Sequence, residues 1–127
     1  MSSIKVGFIG LGNMGMAMAK CLPKKGLPVT VYDIRKEAIN EMVALGAKGA
    51  SSCREVAEKS DAIITMVKDI DQTNEVIFGK DGVWEGIKKG SIIIISSSIG
   101  PKYCQQLYKR AKEVKGVFDF INLNNMK

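Results

Sequence analysis

Histidine is absent from all 127 residues. That removes the side chain most often used as a general base near neutral pH, and with it the commonest metal ligand. Any proton chemistry falls to Lys, Asp, Glu, Tyr or Cys, and no metal site is expected. Cysteine is scarce and odd in number: Cys21, Cys53 and Cys104. These positions lie too far apart for the paired spacing of a zinc site, and an odd count makes no disulfide framework. Reduced thiols in a cytoplasmic protein are the expectation. Aromatic residues are only 6% of the chain, so no stacking platform for single-stranded nucleic acid separates the basic residues. Long apolar runs are missing as well. The run from Ile92 to Ile95 is far too short to cross a bilayer, and no apolar stretch follows a basic region at the N-terminus. Neither a membrane nor a nucleic acid is expected as a partner.

The chain does have enough apolar material for a core, at 46% hydrophobic residues. Its net charge of +6 admits two readings: a polyanionic partner, or lysines and arginines decorating solvated helices. The basic residues are scattered rather than clustered, which favours the second.

Apolar stretches alternate with helical patterns throughout. Lys5 to Ile9, Val29 to Tyr32, Lys48 to Ala50, Ala62 to Met66, Ser91 to Ile95 and Val117 to Ile121 read as strands. Met14, Ala17, Met18, Cys21 and Leu22 recur at helical spacing and predict the inner face of a first helix, ended by Gly26 and Pro28. A second helix is expected from Arg35 to Leu45, with Ile39, Met42 and Val43 inward and Gly46 as its stop. Ser52 and Glu55 have capping-box spacing. Further helices are expected from Asp71 to Phe78, briefly through Trp84, and from Gly100-Pro101 onward, the last with Tyr103, Leu107, Ala111 and Val114 inward. Such alternation predicts an α/β, Rossmann-type doubly wound parallel sheet forming a single domain over residues 1–121, followed by a polar tail at 122–127.

The sharpest motif is Gly10-Leu11-Gly12-Asn13-Met14-Gly15. It follows a predicted strand and opens a predicted helix, and an acid, Asp33, closes the next strand. In this context Gly10 permits the tight turn, Gly12 lets a pyrophosphate approach bare backbone, and Gly15 lets the helix lie close to the sheet. The amides at the helix start then face the phosphates. Asp33 suits the ribose hydroxyls of NAD and repels the 2′-phosphate of NADP, making NAD the expected cofactor and NADP the less favoured one. Asp33 also reads as a cap for the following helix. Arg35 complicates the choice, because a guanidinium there could hold a phosphate. Two more strand ends, Met66-Val67-Lys68 and Ser96-Ser97-Ser98, should border the same cleft.

Gly7-Phe8-Ile9-Gly10-Leu11-Gly12-Asn13-Met14-Gly15, with Ile64-Thr65-Met66 and with Ser97-Ser98-Ile99 ahead of Pro101, resembles the β-hydroxyacid dehydrogenases. These include 3-hydroxyisobutyrate dehydrogenase and tartronate semialdehyde reductase and are related to 6-phosphogluconate dehydrogenase. The resemblance runs over about residues 4–117. It implies pyrophosphate contacts from the backbone of Leu11, Asn13 and Met14, and adenosine ribose binding by Asp33. Met66 and Val67 would line the cofactor cleft, Ser98 would lie near the nicotinamide, and Ser97 would bind a substrate carboxylate. The family usually has proline where Lys68 stands, and often aspartate where Ile95 stands.

Beyond Gly116-Val117 the family continues into Asp-Ala-Pro-Val-Ser-Gly-Gly, where this chain reads Phe118-Asp119-Phe120-Ile121-Asn122. The family's catalytic lysine has no counterpart: Asn124-Asn125 resembles the asparagine pair that follows it, but Lys127 lies on the wrong side. No catalytic residue is therefore assigned, and the family's all-helical C-terminal domain is not represented. The implied function is the cofactor half of an oxidoreductase acting on a small hydroxyacid, inactive as this chain alone. Two other readings stay open: a non-catalytic dinucleotide-binding module that could form a homodimer, and a binder of S-adenosylmethionine, which also uses a glycine-rich first loop and an acid on strand two.

Overall fold

In the computed structural model, residues 4–88, 90–96, 102, 103, 105, 106, 109 and 119–122 are described. Short β-branched and apolar runs form the strands: β1 (Val6–Ile9), β2 (Val29–Tyr32), β3 (Lys48–Gly49), β4 (Ala62–Thr65), β5 (Ile92–Ile95) and β6 (Asp119–Asn122). All pair in parallel, in the order β3-β2-β1-β4-β5-β6. This is the doubly wound order in which the chain reverses its direction of travel next to β1. The helices between them are α1 (Asn13–Ala19), α2 (Cys21–Lys24), α3 (Lys36–Val43), α4 (Cys53–Glu58), α5 (Ile70–Phe78) and α6 (Val83–Gly86). Lys102, Tyr103, Gln105, Gln106 and Lys109 are helical too, on the crossover that parallel pairing of β5 and β6 requires. The expected start of that helix at Gly100-Pro101, and its inner positions Leu107, Ala111 and Val114, lie outside the described residues. β6 runs to Asn122, one position past the expected strand end.

Alternation along the strands builds one core on each face of the sheet. Phe8, Val29 and Val31 pack with Leu11, Ala19, Ala38 and Met42 under α1 and α3. Ile9, Ile63, Ile93 and Ile95 pack with Val56, Ala57, Ile77 and Val83 under α4, α5 and α6. Cys53 is buried in this second core; burial pushes its thiol up to about 12, so it is a neutral packing group near pH 7.

Two helix faces differ from expectation. On α1 the buried positions are Gly15 and Ala19, with Met16 half-buried. Met14, Ala17 and Met18, and Cys21 at the start of α2, are exposed; of the predicted stripe only Leu22 turns partly inward. The cause is backbone contact. Gly15 packs on the Gly10 carbonyl, and Ala19 follows one turn later, so these two small residues take the inner face and Met14 and Met18 are rotated outward. On α3, Ala38 and Met42 are buried and Ile39 is half-buried, but Val43 is exposed. The predicted capping box forms by halves. Ser52 Oγ accepts the Glu55 N–H at 3.1 Å, while the Glu55 carboxylate returns to Ser51, accepting its N–H at 2.7 Å and its hydroxyl at 2.9 Å.

Candidate functional site

Parallel register places Ile9 opposite Tyr32 and Thr65, and Thr65 opposite Ile95. The strands therefore end in step, and the residues that follow them, Gly10, Asp33, Met66 and Ser96, emerge along one edge. Ligands of open α/β sheets bind beyond this edge, where the strand order reverses.

The glycine-rich turn leaves β1 through Gly10, whose φ of +99° suits only a residue without a Cβ. A side chain there would also strike the Met66 carbonyl, and one on Gly15 would strike the Gly10 carbonyl. Gly12 is different. It is exposed, its backbone is extended, and a Cβ would meet nothing within 4 Å. Bare backbone is thus presented to open space at the mouth of α1. No side chain caps that helix, so its first-turn amides are left for another acceptor.

Between the turn and the neighbouring strand ends lies a cleft of about 650 Å³. Gly10, Gly12, Asn13, Met14 and Gly15 line one wall, Asp33 and Arg35 a second, and Met66, Val67 and Lys68 the floor after β4. These are nearly all the positions singled out in the sequence, gathered into one space. Leu11 and Ser96 are the exceptions among the described residues: Ser96, expected at the cleft edge, is half-buried and does not line it. The Leu11 N–H, expected on the pyrophosphate, is taken by Asp33 Oδ2, and the Leu11 side chain is buried in the core. Ser97 and Ser98 lie outside the described residues.

Asp33 is the best-held side chain in the cleft. Its Oδ2 accepts the Leu11 N–H at 2.7 Å, and its Oδ1 accepts the Arg35 N–H at 2.8 Å and Arg35 Nε at 3.1 Å. Burial by itself would raise its pKa, but the hydrogen bonds from Arg35 and Leu11 and the guanidinium charge outweigh it and hold the carboxyl below its ordinary value. A carboxylate offers about four acceptor positions. Three are taken, so Asp33 has one left, on Oδ2, rather than the pair needed for both ribose hydroxyls. Its second expected role, the cap of the following helix, is not filled: α3 starts at Lys36 with Arg35 at the cap position and no side-chain cap hydrogen bond, and the bond from the Arg35 N–H to Asp33 Oδ1 closes a two-residue turn just ahead of it.

Sequence reasoning missed a further wall of the cleft. Ile9, Tyr32, Ile34, Gln72, Glu75 and Val76 also line it. Gln72, Glu75 and Val76 come from α5, which the pattern presents only as a packing helix. The available signal is Asp69, which caps α5 through the Gln72 N–H at 3.0 Å, while Gln72 Oε1 accepts the Lys68 N–H at 2.8 Å. That exchange fixes the loop after β4 against the start of α5. Ile34, 90% exposed beside Asp33, gives the mouth an apolar lip. Among the described residues no group of His, Cys, Asp or Glu is arranged to hold a metal, and no helix is long and apolar enough to cross a membrane.

A cleft with open amides, bare glycine backbone, an acid at the adjacent strand tip and an apolar lip fits a dinucleotide, and known proteins agree. The mitochondrial 3-hydroxyisobutyrate dehydrogenase of Mus musculus is 44% identical over 117 residues, which cover 92% of this chain and 35% of that one. The 2-hydroxy-3-oxopropionate reductase of Escherichia coli (strain K12) is 39% identical over 113 residues, covering 89% of this chain and 38% of the relative. A crystal structure of 3-hydroxyisobutyrate dehydrogenase from Salmonella typhimurium shares the fold with a TM-score of 0.83 and 31% identity, over 93% of this chain and 40% of that one. The chain spans little more than a third of the length of these relatives. Residues 5–122 match the family described as the NAD binding domain of 6-phosphogluconate dehydrogenase, and the chain belongs to that family.

Proposed function

We propose that this chain is the cofactor-binding half of an NAD-dependent dehydrogenase of small β-hydroxyacids. The observation that carries the reading is the meeting of the Gly10 to Gly15 turn and the Asp33 carboxylate in one cleft. The amides of Gly12, Asn13 and Met14 receive the diphosphate, with the α1 dipole behind them. Asp33 accepts a ribose hydroxyl at Oδ2, and Met66 and Val67 form the apolar floor. The resemblance adds Ser98 at the nicotinamide end and Ser97 toward a substrate carboxylate. NAD, when bound, supplies the hydride chemistry, and the residues of this chain bind and orient it. The domain is taken as residues 1–121, and the compartment as the cytoplasm. NAD is preferred to NADP because a 2′-phosphate would face a carboxylate held in its charged form.

Fluorescence titration with NADH and NADPH tests this. Tighter binding of NADH by about tenfold, equivalent to about 1.4 kcal/mol, is expected. Preference for NADPH would remove the role given to Asp33, and binding of neither nucleotide would end the reading. A second reading is a non-catalytic dinucleotide-binding module that dimerises, favoured by the exposure of Met14 and Met18 on α1. A sizing column run with and without NADH separates monomer from dimer, and a monomer under both conditions would remove this second reading.

A further inference from the structure

Arg35 lines the cleft with its side chain half exposed, and two of its five N–H donors are engaged by the protein itself. Nη2 donates to the Leu11 carbonyl at 2.8 Å, and Nε donates to Asp33 Oδ1 at 3.1 Å. Asp33 Oδ2 in turn accepts the Leu11 N–H at 2.7 Å. Both main-chain polar groups of Leu11 are therefore held by residues at the tip of β2. Leu11 sits between Gly10 and Gly12, and glycine on each side gives this stretch more conformational freedom to lose than flanking residues with side chains would. The Leu11 side chain anchors the stretch in the core, and the Asp33–Arg35 pair fixes its peptide planes.

We propose that Arg35 is a positioning residue for the dinucleotide site: by bridging Asp33 and the Leu11 carbonyl it holds the glycine-rich turn in the conformation that receives the diphosphate. This rests on the dinucleotide reading above. The same contacts commit Nε and one Nη2 N–H to Asp33 and Leu11, so the guanidinium is held by the protein before any ligand arrives. The chain thus carries an arginine where an NADP enzyme would use one, and spends it on preorganisation.

The test compares the unmodified chain, R35A and R35K for Kd of NADH and NADPH, together with hydrogen exchange at the Leu11 amide. R35A is expected to weaken both nucleotides by a similar factor, about fivefold to tenfold, because a loop that must be ordered on binding serves either ligand less well. Exchange at Leu11 should quicken by about tenfold in R35A. R35K should recover only part of the affinity, since one ammonium cannot reproduce the planar fork that reaches two acceptors. Arg35 is half exposed, so R35A should keep the fold, and R35K with the Leu11 exchange rate gives the answer if it does not. An NADH Kd in R35A within about twofold of the parent would overturn the proposal. So would a loss confined to NADPH, which would mean that Arg35 touches the 2′-phosphate directly. If the parent binds neither nucleotide, the dinucleotide reading fails and the positioning role falls with it. If the parent binds and R35A matches it, only the positioning role fails.

Discussion

The three glycines of the turn are not constrained alike, and the differences can be measured. At Gly10 and Gly15 the obstacle to a side chain is the protein's own backbone, whereas at Gly12 the space is open. Gly12→Ala should therefore fold almost normally, with unfolding free energy within about 0.5 kcal/mol of the parent, while its methyl group stands where the diphosphate must approach. Affinity for NADH should drop by more than about tenfold, equivalent to about 1.4 kcal/mol. Gly15→Ala should do the opposite to the fold, losing about 1–3 kcal/mol or more because a methyl group is driven into the Gly10 carbonyl. Urea unfolding paired with NADH titration separates the two variants. A Gly12→Ala chain that binds normally would place the phosphates elsewhere.

At the scale of elements, the sequence was read well where one signal acted alone and poorly where two competed. β2, apolar and bounded by Pro28 and Asp33, occupies its predicted range. Gly26 and Gly46, with φ of +78° and +104°, terminate helical segments as expected of glycine beyond a C-cap. α1 misled because methionines and alanines lie on every side of it, so hydrophobic spacing cannot choose a face. What chooses is the close approach of Gly15 and Ala19 to the strand, a steric fact that hydrophobicity does not encode. The structure inverts the prediction for two neighbours. Met18→Gln, on the face expected to be buried, should change stability by no more than about 0.5 kcal/mol. Ala19→Leu, a conservative change by hydrophobicity, should cost about 1–3 kcal/mol, because a position with no exposed surface has no room for three more carbons. Denaturant midpoints for the two variants decide the matter, and equal midpoints would mean that the helix sits the other way round.

For the molecule as a whole, the parts of the site that could be read in the sequence are those written as local motifs. The glycine turn and Asp33 each follow a strand directly, so strand order and chain direction bring them together. The wall from α5 and the grip of Asp33 and Arg35 on Leu11 depend on register and side-chain reach across separate βα units, which no local pattern contains. The cleft is consequently shared by three such units, β1–α1, β2–α3 and β4–α5. A ligand filling it would link all three, and would stabilise the native state by its free energy of saturation. NADH at about one hundred times its Kd should add about 2.7 kcal/mol, which for a chain of this size raises the melting temperature by about 10 °C. Gly12→Ala should melt near the parent's temperature without nucleotide and gain almost nothing with it, while Met18→Gln, at a position that does not line the cleft, should gain as much as the parent. A rise of equal size in the parent and in Gly12→Ala would show that the nucleotide acts away from the glycine turn, and the cleft would then lose its claim to be the site.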